Sequence, residues 1–166
     1  TRMPAKMHSF YLRNMYMNNC LVQPGAIEIA GTPIDLGKVK IPTYFISAIE
    51  DHIAPWRSTY MGAHAVGGSP RFVLGGSGHI AGIVNPPAAN KYGYWVNPAA
   101  KLPATSEEWF EGAQQTAGSW WPDWQAWVTS HEATEVAARS PIGGKLPVHE
   151  DAPGSYAKAR LDVNAE

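Results

Sequence analysis

The chain has 166 residues, with 13 Lys plus Arg against 14 Asp plus Glu, a formal net charge of −1 and a hydrophobic fraction of 45%. That length and composition suit one domain with a buried core. The near-neutral charge with no basic run leaves no electrostatic footprint for nucleic acid, and no apolar run approaches the ~18 residues of a membrane helix.

The single cysteine, Cys20, excludes an intrachain disulfide and fits a reducing compartment. The amino end is polar and Pro-broken, with no initiator Met and no apolar core of a signal peptide. It reads as an internal start, the tail of a longer protein. Residues 7–21 follow, with Met7, Phe10, Tyr11, Met15, Met17 and Leu21 at helical spacing. They predict a helix over residues 9–19 whose Met and aromatic stripe packs in a core or under a lid. Cys20 closes that stretch in N-N-C-L-V. It lacks the flanking glycines and preceding strand of a G-x-C-x-G nucleophile turn, so it is not assigned a catalytic role.

From Gln23 the pattern changes to short strands. Residues 26–30 and 34–36 flank Gly31-Thr32-Pro33 and predict a β-hairpin. The apolar run 42–48 then ends in a loop carrying Glu50, Asp51 and His52. Residues 55–66 predict a helix, with Pro55 at its start and Gly67-Gly68 closing it. A second apolar run, 71–74, ends in a loop carrying Ser77, Gly78 and His79. This strand-helix-strand unit predicts two parallel strands joined by a right-handed crossover.

Asp51 and His79 then fall in loops at the carboxyl ends of consecutive strands, where open parallel sheets carry reactive groups. An Asp followed by a His is also the chain order of the last two members of an α/β-hydrolase triad. Imidazole is the base suited to neutral pH, and a carboxylate on its second nitrogen fixes the tautomer and stabilises the imidazolium. Gly76, Gly78 and Gly82 suit a loop that turns tightly around His79. The alternative is that His79 is an ordinary loop histidine and Asp51 a turn or cap residue.

A short helix is expected after His79, stopped by Pro86-Pro87. Asn85 either faces the site or caps that turn. Residues 88–104 read as loop, with Tyr92, Tyr94 and Trp95 covering the sheet edge. Residues 105–113 start as a helix capped by Thr105 or Ser106, with Glu108 placed for a capping box. Trp120, Trp124 and Trp127 fall on one face of a helix beginning near Pro122 and are expected to pack on the domain body. From Ser140 the chain is rich in Pro, Gly and charge, and a poorly ordered tail is expected.

Three of these motifs, I-E-D-H-I-A-P-W, L-G-G-S-G-H-I-A-G-I-V-N-P-P and G-S-W-W-P-D-W, resemble the carboxyl-terminal part of polyhydroxyalkanoate synthases of class I, the poly-3-hydroxybutyrate type. The early M-H-S-F-Y-L-R-N-M-Y and the late A-P-G-S-Y-A-K-A-R are similar to the same family, so the resemblance covers nearly the whole chain. It implies the carboxyl-terminal portion of an α/β-hydrolase fold with an incomplete sheet and a Trp-rich helical tail. Residues 1–22 would form a helical lid or cap-like segment, 23–139 part of the catalytic domain, and 140–166 the tail. It further implies a Cys-His-Asp triad in which Asp51 is the acid and His79 the base, with the cysteine upstream of this chain. His52 matches a neighbouring histidine that is not the base. His52 and Asn85 are the expected substrate-binding residues, and no metal is expected.

The implied reaction is polymerisation of (R)-3-hydroxyacyl-CoA into polyester. Coenzyme A is then part of the substrate and not a cofactor. A homodimer in the cytoplasm at the surface of polyester granules is implied for the complete protein, and this fragment alone would be inactive. Two other readings share the Asp-then-His order: an esterase or polyester depolymerase with a Ser nucleophile, and a non-catalytic granule-binding module.

Overall fold

The structure is a computed structural model that describes residues 2–132, 134–139 and 144–160. It divides into two compact units, Thr1–Glu132 and Ala133–Glu166. Part of the expected poorly ordered tail, residues 140–143 and 161–166, lies outside the described residues. Within the described part of the second unit one short helix forms, α5 (Gly154–Lys158), whose Ser155 is held by the Glu150 carboxylate.

In the first unit, α1 (Ala5–Tyr11) follows Pro4 and runs directly into a π-helical turn, Leu12–Met17, then a 3₁₀ turn, Cys20–Val22. The helix therefore begins before residue 9 and changes pitch. None of these segments buries a residue, and Met7, Phe10, Tyr16 and Met17 are exposed. The expected packing of this stripe is not made within the described residues. The hairpin forms as β1 (Glu28–Ile29) and β2 (Thr32–Pro33). Its turn lies at Ala30-Gly31, both with positive φ (49° and 78°), the backbone of a tight two-residue connection.

The central sheet has the order β3 (Tyr44–Ala48), β4 (Arg71–Gly75), β5 (Gly93–Val96), β6 (Gln114–Ala117). β3 and β4 are parallel, with Tyr44 opposite Arg71 and Ala48 opposite Gly75, and α2 (Trp56–Ala63) lies between them in sequence. The strand-helix-strand unit is thus present. β5 and β6 are antiparallel additions, so the sheet is mixed. Residues 93–96, expected as loop, do cover the sheet edge, but by joining it as a strand. No helix follows His79: residues 79–83 form hydrogen-bonded turns, and Pro87–Ala89 is a single 3₁₀ turn.

Alternation along β3 and β4 divides the side chains between two faces. On one face Phe72 and Leu74 pack with Trp56, Tyr60 and Ala63 of α2 and Trp109 of α3 (Ser106–Glu111), flanked by Phe45 and Trp95. Phe72 and Trp109 meet edge to face at 5.0 Å. Tyr60 is fully buried and its hydroxyl donates to the Pro103 carbonyl at 2.6 Å, so the ring fills the core without stranding its polar end. Thr105 caps α3 in the expected capping box with Glu108.

On the other face Tyr44 and Arg71 meet α4 (Trp121–His131). Asp123 accepts two bonds from the Arg71 guanidinium, at 2.5 and 3.1 Å, and a third from the Tyr44 hydroxyl at 2.8 Å. Trp120 stacks on Tyr44 and Trp127 meets it edge-on. Trp124, the third member of the expected stripe, is 43% exposed. The first unit is therefore a mixed four-stranded sheet between α2 and α3 on one side and α4 on the other.

Candidate active site

The two loops that follow β3 and β4 are zipped together beyond the ends of the strands. Ile49 N–H donates to the Gly75 carbonyl at 2.9 Å and Glu50 N–H to the Ser77 carbonyl at 3.0 Å. This continuation of the ladder sets Asp51 beside His79. The second loop then folds back over the sheet. A Cβ on Gly82 would lie 2.5 Å from the Gly76 carbonyl oxygen and 2.7 Å from the Ala48 Cβ, so only glycine allows this approach. Ser77 carries the left-handed backbone of the turn, φ 69°, in a non-glycine residue. At Gly78, by contrast, a Cβ would meet the Glu50 carbonyl oxygen at an ordinary 3.9 Å.

His79 Nδ1 and Asp51 Oδ2 are 2.7 Å apart. The Asp51 side chain is 6% exposed and that of His79 47%. The other carboxylate oxygen, Oδ1, accepts from the backbone N–H groups of Ala54 and Ile53, each at 2.9 Å. These donors, with the Ala54 N–H foremost and the His79 ring next, lower the Asp51 pKa from 3.8 to about 2. The carboxylate is thus ionised, oriented by backbone and nearly closed to water. It fixes the Nδ1–H tautomer of the imidazole and leaves Nε2 as the acceptor. A half-exposed histidine held in this way can take a proton from a nucleophile and return it to a leaving group.

The other candidate residues are placed differently. His52 is exposed in the loop after β3. Asn85 is 3% exposed and donates from Nδ2 to the Lys91 carbonyl at 2.9 Å. Its amide ties the turn that leads into β5. Cys20 is a half-buried free thiol at the head of the 3₁₀ turn. Among the described residues no group of three or more His, Cys, Asp and Glu side chains could hold a metal ion, and no helix is long and apolar enough to cross a membrane.

Sequence reasoning missed one feature of the site. The indole N–H groups of Trp120 and Trp121 both donate to the Ile83 carbonyl, at 3.2 and 3.1 Å, which ties the His79 loop to the start of α4. A helical-face argument selects Trp120, Trp124 and Trp127 and passes over Trp121, because this contact lies at the helix entry and obeys no period.

No protein-family model matches the chain. Among curated proteins it is similar to the poly(3-hydroxyalkanoate) polymerase subunit of Rhizobium meliloti, 52% identical over 160 residues, which is 96% of this chain and 26% of that protein. The corresponding subunit of Cupriavidus necator is 42% identical over 161 residues, 96% of this chain and 27% of its own length. Poly(3-hydroxyalkanoate) polymerase 1 of Ectopseudomonas oleovorans is 38% identical over 161 residues, 96% of this chain and 28% of its own. The chain spans about a quarter of the length of these relatives. The resemblance read from the three motifs is therefore matched, along almost the whole chain, by polymerases from several bacteria.

Proposed function

We propose that this chain contributes the acid and the base, Asp51 and His79, to the acyl-transfer site of a poly(3-hydroxyalkanoate) polymerase. The observation that carries the reading is the 2.7 Å contact between the His79 ring and a buried, backbone-anchored carboxylate, in a chain similar to such polymerases along 96% of its length. The nucleophile belongs to a part of the protein outside these residues and is a cysteine in a G-x-C-x-G turn. The fold is the carboxyl-terminal portion of an α/β-hydrolase domain, with residues 1–22 as the lid or cap-like segment.

His79 Nε2 takes the proton of the thiol. The thiolate attacks the carbonyl carbon of an (R)-3-hydroxyacyl-CoA, the C–S bond to coenzyme A breaks, and the coenzyme A thiolate leaves with a proton from His79. In the next half-reaction His79 accepts the proton of a 3-hydroxyl group, whose oxygen attacks the enzyme-bound acyl carbon. An ester bond forms and the cysteine thiolate is released. Asp51 remains ionised throughout and stabilises the imidazolium formed in both halves. Coenzyme A enters and leaves as part of the substrate, and no other cofactor is needed. The product is an insoluble polyester, so the working enzyme sits at the surface of a cytoplasmic granule, as a homodimer. Without the nucleophile, the 166-residue chain alone does not polymerise.

Mapping the acylated residue tests this reading. The complete protein is incubated with a 3-hydroxyacyl-CoA and digested for mass spectrometry. Acylation of a cysteine in a G-x-C-x-G turn is the expected result. Acylation of a serine makes the protein an esterase or depolymerase, and the absence of any acyl-enzyme favours a granule-binding module.

A further inference from the structure

The His79 loop is held at both ends. At its entry Gly76 N–H donates to the Gly93 carbonyl at 2.7 Å, and the Ser77 carbonyl accepts from Glu50 N–H at 3.0 Å. At its exit the Ile83 carbonyl accepts from two indole N–H groups, those of Trp120 and Trp121. A carbonyl oxygen has two lone pairs, and here both are used by side chains thirty-seven and thirty-eight residues away in sequence. Between the two ends the His79 ring meets Asp51 at 2.7 Å, and the loop's backbone bonds are short-range: Gly82 N–H to the Gly78 carbonyl and Val84 N–H to the Ile80 carbonyl, both at 2.8 Å, and Ile83 N–H to the Ile80 carbonyl at 3.1 Å. Buried Asn85 adds a further tie at the exit, its amide reaching Lys91.

The two indoles are themselves fixed. Trp120 stacks on Tyr44 at 6.0 Å, and Asp123, in the first turn of the same helix, is held by Arg71 and Tyr44. The start of α4 is thus anchored to β3 and β4, the two strands that end in the Asp51 and His79 loops. A displacement of the His79 loop has to break both indole bonds or move this anchored helix end.

We propose that Trp120 and Trp121 are positioning residues, a double indole clamp on the Ile83 carbonyl that holds His79 in line with Asp51 and the nucleophile. The inference rests on the function proposed above. Either indole alone keeps the loop in place, so the two contributions are strongly non-additive. Loss of both donors lets His79 drift from its reactive geometry. A misplacement of about 1 Å costs on the order of 100-fold in rate, and it acts on the chemical step more than on substrate binding.

The test replaces Trp120 and Trp121, singly and together, in the complete protein. Benzothienylalanine keeps the bicyclic ring and puts a sulfur, which cannot donate, in place of the N–H; Trp120→Phe and Trp121→Phe serve as encoded counterparts. Coenzyme A release is measured as kcat and KM, and amide exchange is followed at Gly82 and Val84. Each single replacement is expected to lower kcat about twofold, and the double replacement ten- to a hundredfold, with KM within about twofold and faster exchange at both amides. The clamp is overturned by a double benzothienylalanine protein whose kcat is unchanged, or whose loss lies in KM while both amides exchange at the original rate. The His79→Gln protein separates the two levels: if it retains activity, the proposed function fails, and the exchange of Gly82 and Val84 still decides whether the indoles hold the loop.

Discussion

Asp51 has two oxygens with separate tasks. Oδ1 is occupied by two backbone N–H groups and Oδ2 by the His79 ring. Asp51→Asn keeps the shape but must turn an amide N–H₂ toward one of these donors. That change is expected to lower acyl-transfer activity by roughly a thousandfold or more, as when a triad carboxylate loses its charge, with the fold retained. The same carboxylate carries a pH signature. Its folded value of about 2 lies below the ordinary 3.8. The unfolded chain therefore binds the proton more readily, and stability present above about pH 4 is lost as the pH falls toward 2. Acid titration of the native signal is expected to show this loss, and Asp51→Asn to reduce it. Gly82 makes a second prediction at this scale. Gly82→Ala places a methyl group against the Gly76 carbonyl and the Ala48 Cβ. Overpacking of this kind costs about 1–3 kcal/mol, to be read as a fall in Tm, and it displaces the loop that carries His79.

Among the elements, α4 is held in part by an ion pair with a phenol beside it, in addition to its Trp contacts. Asp123 is 16% exposed on its side chain and Arg71 33%, and burial together with the bond to Asp123 pushes the Tyr44 phenol far above its ordinary pKa. Asp123→Asn removes the charge that both partners face and is expected to cost about 2 kcal/mol, the scale of charge-assisted hydrogen bonds, measured by denaturant unfolding. An unchanged midpoint would mean that the Trp stacking and the indole bonds to Ile83 hold the helix without the ion pair. The elements also show what was legible in the sequence. The two strand-loop pairs and the capping box at Thr105 are local patterns and appear where the sequence predicts them. β6 was not legible because Gln114–Ala117 is exposed throughout and polar in three of its four residues; its strand state comes from pairing with β5. β5 was hidden by its four-residue length and the Pro86-Pro87 turn before it, and with it the mixed character of the sheet. Asp51 and His79 could be put forward as candidates from chain order and strand ends, and the structure sets them 2.7 Å apart. The indole clamp could not, because it joins a loop to a helix start through one backbone carbonyl.

At the scale of the whole molecule, β3 pairs only with β4 among the described residues, and Met7, Phe10, Tyr16 and Met17 stand exposed on the amino-terminal helical segment. An unpaired strand edge and exposed apolar side chains each favour association. The isolated 166-residue chain is expected to self-associate with rising concentration in light scattering; a monodisperse monomer would show that edge and helix need no cover. The central claim is that Asp51 and His79 work as one unit in acyl transfer. Coenzyme A release from (R)-3-hydroxybutyryl-CoA by the complete protein tests it most directly, with His79→Gln, Asp51→Asn and the double variant compared with the wild type. The account predicts losses of about a thousandfold or more in each single variant and little further loss in the double. Activity that survives His79→Gln, or losses that multiply in the double variant, would contradict it.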